Sequence, residues 1–329
     1  MALFRALQTT QDEKEFTTRL ISLPALEAED DGLVVSVAYS SINYKDGLSA
    51  AGNPGVTRKF PHIPGIDAVG TVVESKSSLF SAGDRILVTG YDLGMNTDGG
   101  LAEQLKIPAA WALKLPEQLT NLDAMVLGTA GLTAFLCLDR LERAGLEPGA
   151  SIVISGAGGG VGSVAVALAS LKGYKVTAVS AKSEQHDWLS ALGAAEIIGR
   201  EELSLNNPRP LLKPRWDAGI DCAGGDTLAN MVKSVAYGGS VAACGLAQST
   251  ELPLTVLPFI LKGVALLGVD SVELPLATKQ AAWQSIAALV DGMPMAKLHQ
   301  VINLEQALVA LQEVLTGSVR GRLVVDVQA

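Results

Sequence analysis

Residues 151–173, SIVISGAGGGVGSVAVALASLKG, set a run of β-branched residues against a glycine cluster and then small apolar residues at helical spacing. The pattern predicts strand, tight turn and helix. Ile152, Val153 and Ile154 suit a strand buried on both faces, as in a parallel sheet. Gly156, Gly158, Gly159, Gly160 and Gly162 allow close backbone approach, and Val161, Val164, Ala165, Leu168, Ala169 and Leu171 form the inner face of a helix. Such a turn aims free N–H groups and the positive end of a helix dipole at one point, which suits a phosphate. The strict G-x-G-x-x-G fingerprint is absent, because Val161 stands three residues after Gly158; Gly160, Gly162 and Ala165 fit its relaxed form. Taken alone, the stretch has a competing reading as a tight strand-to-helix connection.

The flanking sequence decides for a nucleotide fold. Apolar strands at 175–180, 195–199, 218–222, 239–244 and 264–271, with helices between most of them, predict an α/β, doubly wound parallel sheet of the Rossmann kind. The last strand follows a short helix ending at Gly263. Upstream the texture is different: 33–40, 65–75, 84–90 and 101–109 read as short strands of a barrel, separated by polar loops at 40–48 and 58–67. Residues 119–145 are helical, with Thr120 or Asn121 as cap. Beyond 271 the strand–helix rhythm stops, with a helix from 276, a strand at 298–304, a helix at 305–316 and a strand at 322–328. The expected organisation is therefore a discontinuous domain, 1–122 completed by 272–329, with a nucleotide domain, 123–271, inserted in it. Asn206–Pro214 reads as a surface loop.

Composition limits the function classes. The 329 residues are 48% hydrophobic and 18% charged, a globular balance with room for two domains. The net charge of −9 argues against a nucleic-acid or acidic-membrane partner. Cys137, Cys222 and Cys244 show no metal-ligand or disulfide-scaffold spacing. No targeting peptide is evident, and a cytoplasmic location is expected.

The second strand of the nucleotide domain ends at Ser180, where an NAD-selective turn places Asp or Glu on the ribose hydroxyl. Here Ser180, Ala181, Lys182 and Ser183 bring a cation and hydroxyls instead, which suits a 2′-phosphate and favours NADPH. Arg200, after the third strand, would join them. The competing reading is that Lys182 and Ser183 start the next helix, with Ser183 as cap.

The segments SSINYKD (40–46), FPHIPGIDAVGTV (60–72), LGTAGLTAFL (127–136), GAGGGVGS (156–163), CGLA (244–247), LPFILKGV (257–264), GVDS (268–271) and GR (321–322) together resemble the medium-chain dehydrogenase/reductase superfamily. Within it the chain is most similar to the subfamily of acryloyl-CoA reductases and quinone oxidoreductases, essentially from end to end. The resemblance implies a GroES-like barrel completed by the C-terminal segment, an inserted Rossmann domain, and a homodimer formed through a sheet edge, for which 264–271 is the candidate. Zinc-dependent relatives carry a cysteine within the segment matching 40–46 and Gly-His-Glu near 65–67; Ser41, Asn43 and Gly65-Ile66-Asp67 stand here, so no metal is expected.

A pocket without a metal suits hydride addition to the β-carbon of an α,β-unsaturated thioester, with donors at the thioester oxygen and an acid for the α-carbon. Asn43, Tyr44, Lys45 and Asp46 are the concentrated donor and acid set. Tyr44 is expected at the cofactor by resemblance, and its hydroxyl makes it the candidate proton donor, with Asn43 or Asp46 orienting. Alternatively, Asp46 caps a helix starting at Gly47 and Tyr44 packs beside it. The resemblance places Gly158, Gly159, Gly160, Val161, Cys222, Leu246, Ile260, Asp270 and Arg322 at the cofactor. The simpler reading of Cys222 is a buried thiol; the alternative for Arg322 is a partner of surface acids, and Leu246, Ile260 and Asp270 read equally as packing or loop residues. Arg58 and Lys59 form a basic pair that would suit coenzyme A phosphates or simply be solvated. His62, His186 and His299 have no metal-ligand spacing. Acryloyl-CoA is the leading substrate, a quinone or alkenal the alternative, and an NADPH-binding protein without turnover the third reading.

Overall fold

The computed structural model describes residues 2–329. The chain opens with an antiparallel hairpin, β1 (Leu3–Asp12) and β2 (Glu15–Pro24), which the sequence reading missed. Next come β3 (Gly32–Ile42), α1 (Tyr44–Ala50), β4 (Asp67–Ser75), β5 (Arg85–Thr89), β6 (Gln104–Pro108) and β7 (Leu113–Lys114). The expected strand at 101–109 is shorter, because residues 101–103 bond to β1 instead, with Leu7 N–H donating to Leu101 O and Glu103 N–H to Arg5 O.

A helical stretch, α2 (Asn121–Arg143), leads into the nucleotide-type unit. Thr120 caps it: its Oγ1 accepts from Asp123 N–H at 3.0 Å, and in return the Asp123 carboxylate accepts from Thr120 N–H at 3.2 Å. By length and apolarity this helix qualifies as a membrane span, yet 67% of that window is buried inside the protein. Gly128 interrupts it with φ 50° and ψ −151°.

The parallel unit contains β8 (Ser151–Ile154), α3 (Gly160–Leu171), β9 (Lys175–Val179), α4 (His186–Ala191), β10 (Glu196–Ile198), α5 (Glu201–Ser204), β11 (Trp216–Asp221), α6 (Gly225–Ser234), β12 (Val235–Ala243), α7 (Leu257–Lys262) and β13 (Ala265–Gly268). Its six strands run in the order β10-β9-β8-β11-β12-β13, all parallel. That is the doubly wound order, with the direction of winding reversing beside β8. Val153, Val179, Ile198, Met231, Val235 and Val241 are buried in its core, as strands covered on both faces require.

The chain then adds α8 (Leu276–Ala287), α9 (Met295–Leu298), β14 (His299–Asn303), α10 (Leu304–Thr316) and β15 (Arg322–Asp326). As expected from the broken rhythm, the last strands return to the first sheet, whose order is β14-β15-β3-β4-β5-β7 with β6 on β3. Leu33, Val35, Val37, Ile86, Leu105 and Val325 meet Leu304, Ala307 and Leu311 of α10 in its core.

Two compact units result, one comprising 2–129, 271–290 and 299–329, the other 130–270 and 291–298. The first boundary lies at 129 rather than 122, because residues up to Thr129 bond to the first sheet: Thr129 N–H donates to Asp67.

Candidate functional site

In the parallel unit, β8 ends at Ile154 and the chain turns through residues 155–159 into α3. A Cβ on Gly162 would collide with the carbonyl oxygen of Gly156, so only glycine lets the helix start this close to the turn. Gly159 is the N-cap residue and contributes no side chain, leaving the first N–H groups of a twelve-residue helix open to a ligand. Gly158, Gly159, Gly160 and Val161 are all partly accessible there.

The loop after β9 comes to the same end of the sheet. Ser180 is buried, its N–H donating to Ile198 O at the end of β10, which brings the 180–182 loop beside the segment carrying exposed Arg200. Ala181 is exposed and Lys182 partly so; Lys182 N–H donates to Ser180 Oγ at 3.2 Å. Ser183 is not a cap. It opens a single 3-10 turn, Ser183–Gln185, with Lys182 at the N-cap position, and α4 starts only at His186.

Three residues at this end of the sheet escaped the sequence reading. Gln185 is buried between Ser180 and the glycine turn, its Oε1 3.4 Å from Ser180 Oγ. Ser155 donates to Asp221 Oδ1 at 2.7 Å and accepts from Cys222 N–H at 2.9 Å, while Gly224 N–H donates to Asp221 Oδ2. This ties the ends of β8 and β11 together across the point where winding reverses. Burial pushes the Asp221 carboxyl up to about 6, against the hydrogen bonds that favour its charged form.

Cys222, partly accessible, lies against the turn: a Cβ on Gly156 would sit 3.3 Å from its own Cβ. Leu246, Ile260 and Asp270 are exposed in the segments after β12 and around β13. The strand β13 is one of the two outer strands of the sheet, opposite β10. A bound dinucleotide fits the glycine turn, the uncapped helix and the cationic loop; the turn would take its phosphates and Lys182 with Arg200 a further phosphate.

The barrel-type unit corrects the reading of 40–48. Residues 40–42 belong to β3, and Tyr44–Ala50 is a helix with Asn43 as N-cap, not a loop and not a helix starting at Gly47. Asn43 and Asp46 form its reciprocal cap, with Asn43 N–H donating to Asp46 Oδ2 at 2.7 Å. Tyr44 is exposed at the first helical position, with 44% of its surface accessible. Lys45 is partly accessible beside it.

Asn43 and Asp46 face inward, so neither is a substrate-facing donor. Asp46 is fully buried, and its Oδ1 accepts from Gly65 N–H at 3.1 Å and Ile66 N–H at 2.8 Å. Burial and the nearby Asp67 carboxylate push its pKa up to about 7, although backbone N–H groups stabilise the charged form. Asn43 Nδ2 donates to Asp67 Oδ2 at 2.9 Å, and its Oδ1 accepts from Arg322 Nη1 at 3.1 Å.

Arg322 also departs from expectation. It is 2% exposed and pairs with neither surface acids nor an open pocket. Nε donates to Val126 O, Nη1 also to Ile42 O, and Nη2 to Ser41 Oγ, while Asp67 lies 3.8 Å from Nη2. Asp67 in turn accepts from Ser41 Oγ, Thr129 N–H and Thr129 Oγ1. At Gly128 a Cβ would collide with the Asp67 carboxylate, so the chain passes this network only as glycine.

The same network fails a test as a metal site. The Asp67 carboxylate is spent on three donor residues, and a fixed guanidinium stands where a cation would be stabilised. Among the described residues no group of three or more His, Cys, Asp or Glu side chains is placed to hold a metal ion.

Comparison with known proteins adds the family. The zinc-binding dehydrogenase family matches residues 160–290, and the alcohol dehydrogenase GroES-like domain matches residues 29–117. The acrylyl-CoA reductase AcuI of Ruegeria pomeroyi is 42% identical over 335 aligned positions, covering 99% of this chain and 100% of that protein. YhfP of Bacillus subtilis, provisionally named a quinone oxidoreductase, is 40% identical, covering 98% of each. Its crystal structure with NAD bound matches with a TM-score of 0.93, covering 99% of this chain and 100% of that one. The yhdH oxidoreductase of Salmonella enterica in complex with NADP, 41% identical, also gives a TM-score of 0.93, covering 98% of this chain and 99% of that chain.

Proposed function

This chain belongs to the medium-chain dehydrogenase/reductase superfamily, and from that membership we propose that it is an NADPH-dependent oxidoreductase reducing the C=C bond of an acyl-CoA thioester, acryloyl-CoA to propionyl-CoA. The observation that carries the cofactor choice is the loop after β9, where Ser180, Ala181 and Lys182 stand in place of a ribose-binding carboxylate. The substrate class is supported by the 42% identity to an acrylyl-CoA reductase along its whole length.

When bound, NADPH supplies a hydride to the β-carbon of the substrate. The chain's own residues do the rest. The glycine turn and the open N-terminus of α3 take the pyrophosphate, and Lys182 with Arg200 pair with the 2′-phosphate. Tyr44, exposed at the head of α1, donates the proton that the α-carbon takes up as the enolate formed on the thioester collapses to the saturated product. Asn43 and Asp46 are positioning residues that fix where Tyr44 starts its helix. Cys222, Leu246, Ile260 and Asp270 complete the cofactor surroundings in this reading.

The same reading carries a cytoplasmic location and a homodimer paired along the open edge of β13, near which Val256, Ile260 and Leu261 expose 57–68% of their surface. A quinone or alkenal reductase is the second reading, favoured by the name given to YhfP.

The deciding assay follows NADPH absorbance with acryloyl-CoA, crotonyl-CoA and a simple quinone in parallel. Preference for acryloyl-CoA supports the proposal, and preference for quinone gives the second reading. Tight NADPH binding without turnover on any of the three leaves a non-catalytic binding protein. NADH as the better donor defeats the argument from Lys182, and the NAD seen on YhfP makes that comparison necessary.

A further inference from the structure

At the carboxyl ends of two neighbouring parallel strands stand two thiols. The register of β11 with β12 ends at Asp221 opposite Ala243, and the next residue on each strand is a cysteine, Cys222 and Cys244. Adjacent strands lie about 4.8 Å apart, within the roughly 4.4–6.8 Å between Cα atoms that a disulfide spans. Directly opposed side chains on parallel strands point to the same face, and the two sulfurs are already 3.8 Å apart. Both cysteines are free and partly accessible, whereas Cys137 is fully buried.

The backbone around the pair is held in place. Cys244 N–H donates to Asp221 O at 2.9 Å, Ala247 N–H to Cys222 O at 3.3 Å and Gln248 N–H to Ala223 O at 2.7 Å. Joining the sulfurs therefore asks for rotation about two side chains and little movement of the main chain.

We propose that Cys222 and Cys244 are a modification site, a dithiol that a hydroperoxide oxidises reversibly to an intrachain disulfide. One thiolate attacks a peroxide oxygen, forming an S–O bond as the O–O bond breaks; the leaving oxygen takes a proton and departs as water or alcohol. The second sulfur then attacks the sulfenic sulfur, the S–S bond forms, the S–O bond breaks, and water leaves with the second thiol's proton. The two sulfurs lose two electrons and the peroxide gains them.

Cys244 is the favoured attacking sulfur. The neighbouring Cys222 sulfur, 3.8 Å away, and the Cys137 thiol hold its pKa below the ordinary thiol value, while the same neighbours and burial raise theirs. In its neutral form Cys244 gives its S–H to Asp221 O at 3.3 Å, a contact it releases on ionising.

The test needs no nucleotide or substrate, so it stands apart from the proposed reaction. The full chain is exposed to hydrogen peroxide, unfolded, alkylated, digested and mapped by mass. A Cys222–Cys244 linked peptide is expected, lost on treatment with dithiothreitol, with Cys137 recovered alkylated. Three alkylatable thiols after treatment, a bond through Cys137, a bond between chains, or sulfinic acid at either position overturns the proposal. In a Cys222→Ser chain that retains the wild-type circular dichroism, a dimedone adduct is expected on Cys244, and its absence also overturns the proposal.

Discussion

Arg322 and Asp67 grip Asn43 by the two ends of its amide: the guanidinium donates to Oδ1 at 3.1 Å, and the carboxylate accepts from Nδ2 at 2.9 Å. The two charged groups are themselves 3.8 Å apart and almost wholly buried. Their importance lies less in mutual attraction than in what each leaves behind if the other is removed. Arg322→Ala strands a buried carboxylate, and breaking a buried pair in this way is expected to destabilise by about 3–5 kcal/mol. Arg322→Lys keeps the charge, loses the planar fork that reaches Val126, Ile42, Asn43 and Ser41, and falls between. Urea unfolding measures both; an Arg322→Ala chain as stable as the wild type refutes the assignment.

Asp46 predicts a pH dependence whose sign can be worked out. Its folded pKa, about 7, lies above the ordinary carboxyl value of 3.8, so between these values the folded chain binds more protons than the unfolded one. This contribution to stability is therefore greatest in acid and is lost as the pH rises toward 7. Asp46→Asn removes the titration, and one of the N–H groups of Asn43, Gly65 or Ile66 loses its acceptor, at about 1–3 kcal/mol. The advantage of wild type over the variant should be largest near pH 5 and shrink toward pH 8. A gap that stays constant across that range rules the assignment out.

For Tyr44→Phe the expectation is a fall in kcat of about a hundredfold, as for loss of a general acid. The side chain is exposed, so stability should change by less than about 0.5 kcal/mol. Full kcat at every pH removes Tyr44 from the proton-donor role.

Lys182→Ala should lower kcat/KM with NADPH about tenfold to a hundredfold, the equivalent of one lost charge-assisted contact of roughly 1.5–3 kcal/mol. With NADH the same variant should behave like the wild type. Equal losses with both nucleotides mean that the lysine shapes the loop and does not select the phosphate.

The parallel unit was readable in the sequence because its signals are local. Buried strands such as Ser151–Ile154 are unbroken apolar runs, and the glycines after them sit where the backbone demands them. The first hairpin was not readable: Leu3–Asp12 and Glu15–Pro24 mix Thr, Gln, Arg and Glu with their apolar residues, and pairing with each other defines them as strands. Helix α1 hid its signal in plain view. Asn43 with Asp46 three residues later is a reciprocal cap, but the seven residues it starts include Tyr, Gly and Ser, weak helix formers. The role of Arg322 was out of reach, since it bonds to a residue 279 positions away. Nothing in a lone Gln185 marks it as the side chain beside a glycine turn.

The sheet that carries Asn43 is completed by β15, which pairs with β3 through Leu323 opposite Ile42, the residue before Asn43. In synthesis the entire parallel unit emerges between these two strands. A chain still being made can thus assemble its nucleotide-type sheet while Asp67 and Asn43 wait, unneutralised, for a guanidinium near the far end of the polypeptide. The earlier-encoded sheet therefore cannot be completed until β15 has been made, after every residue of the parallel unit.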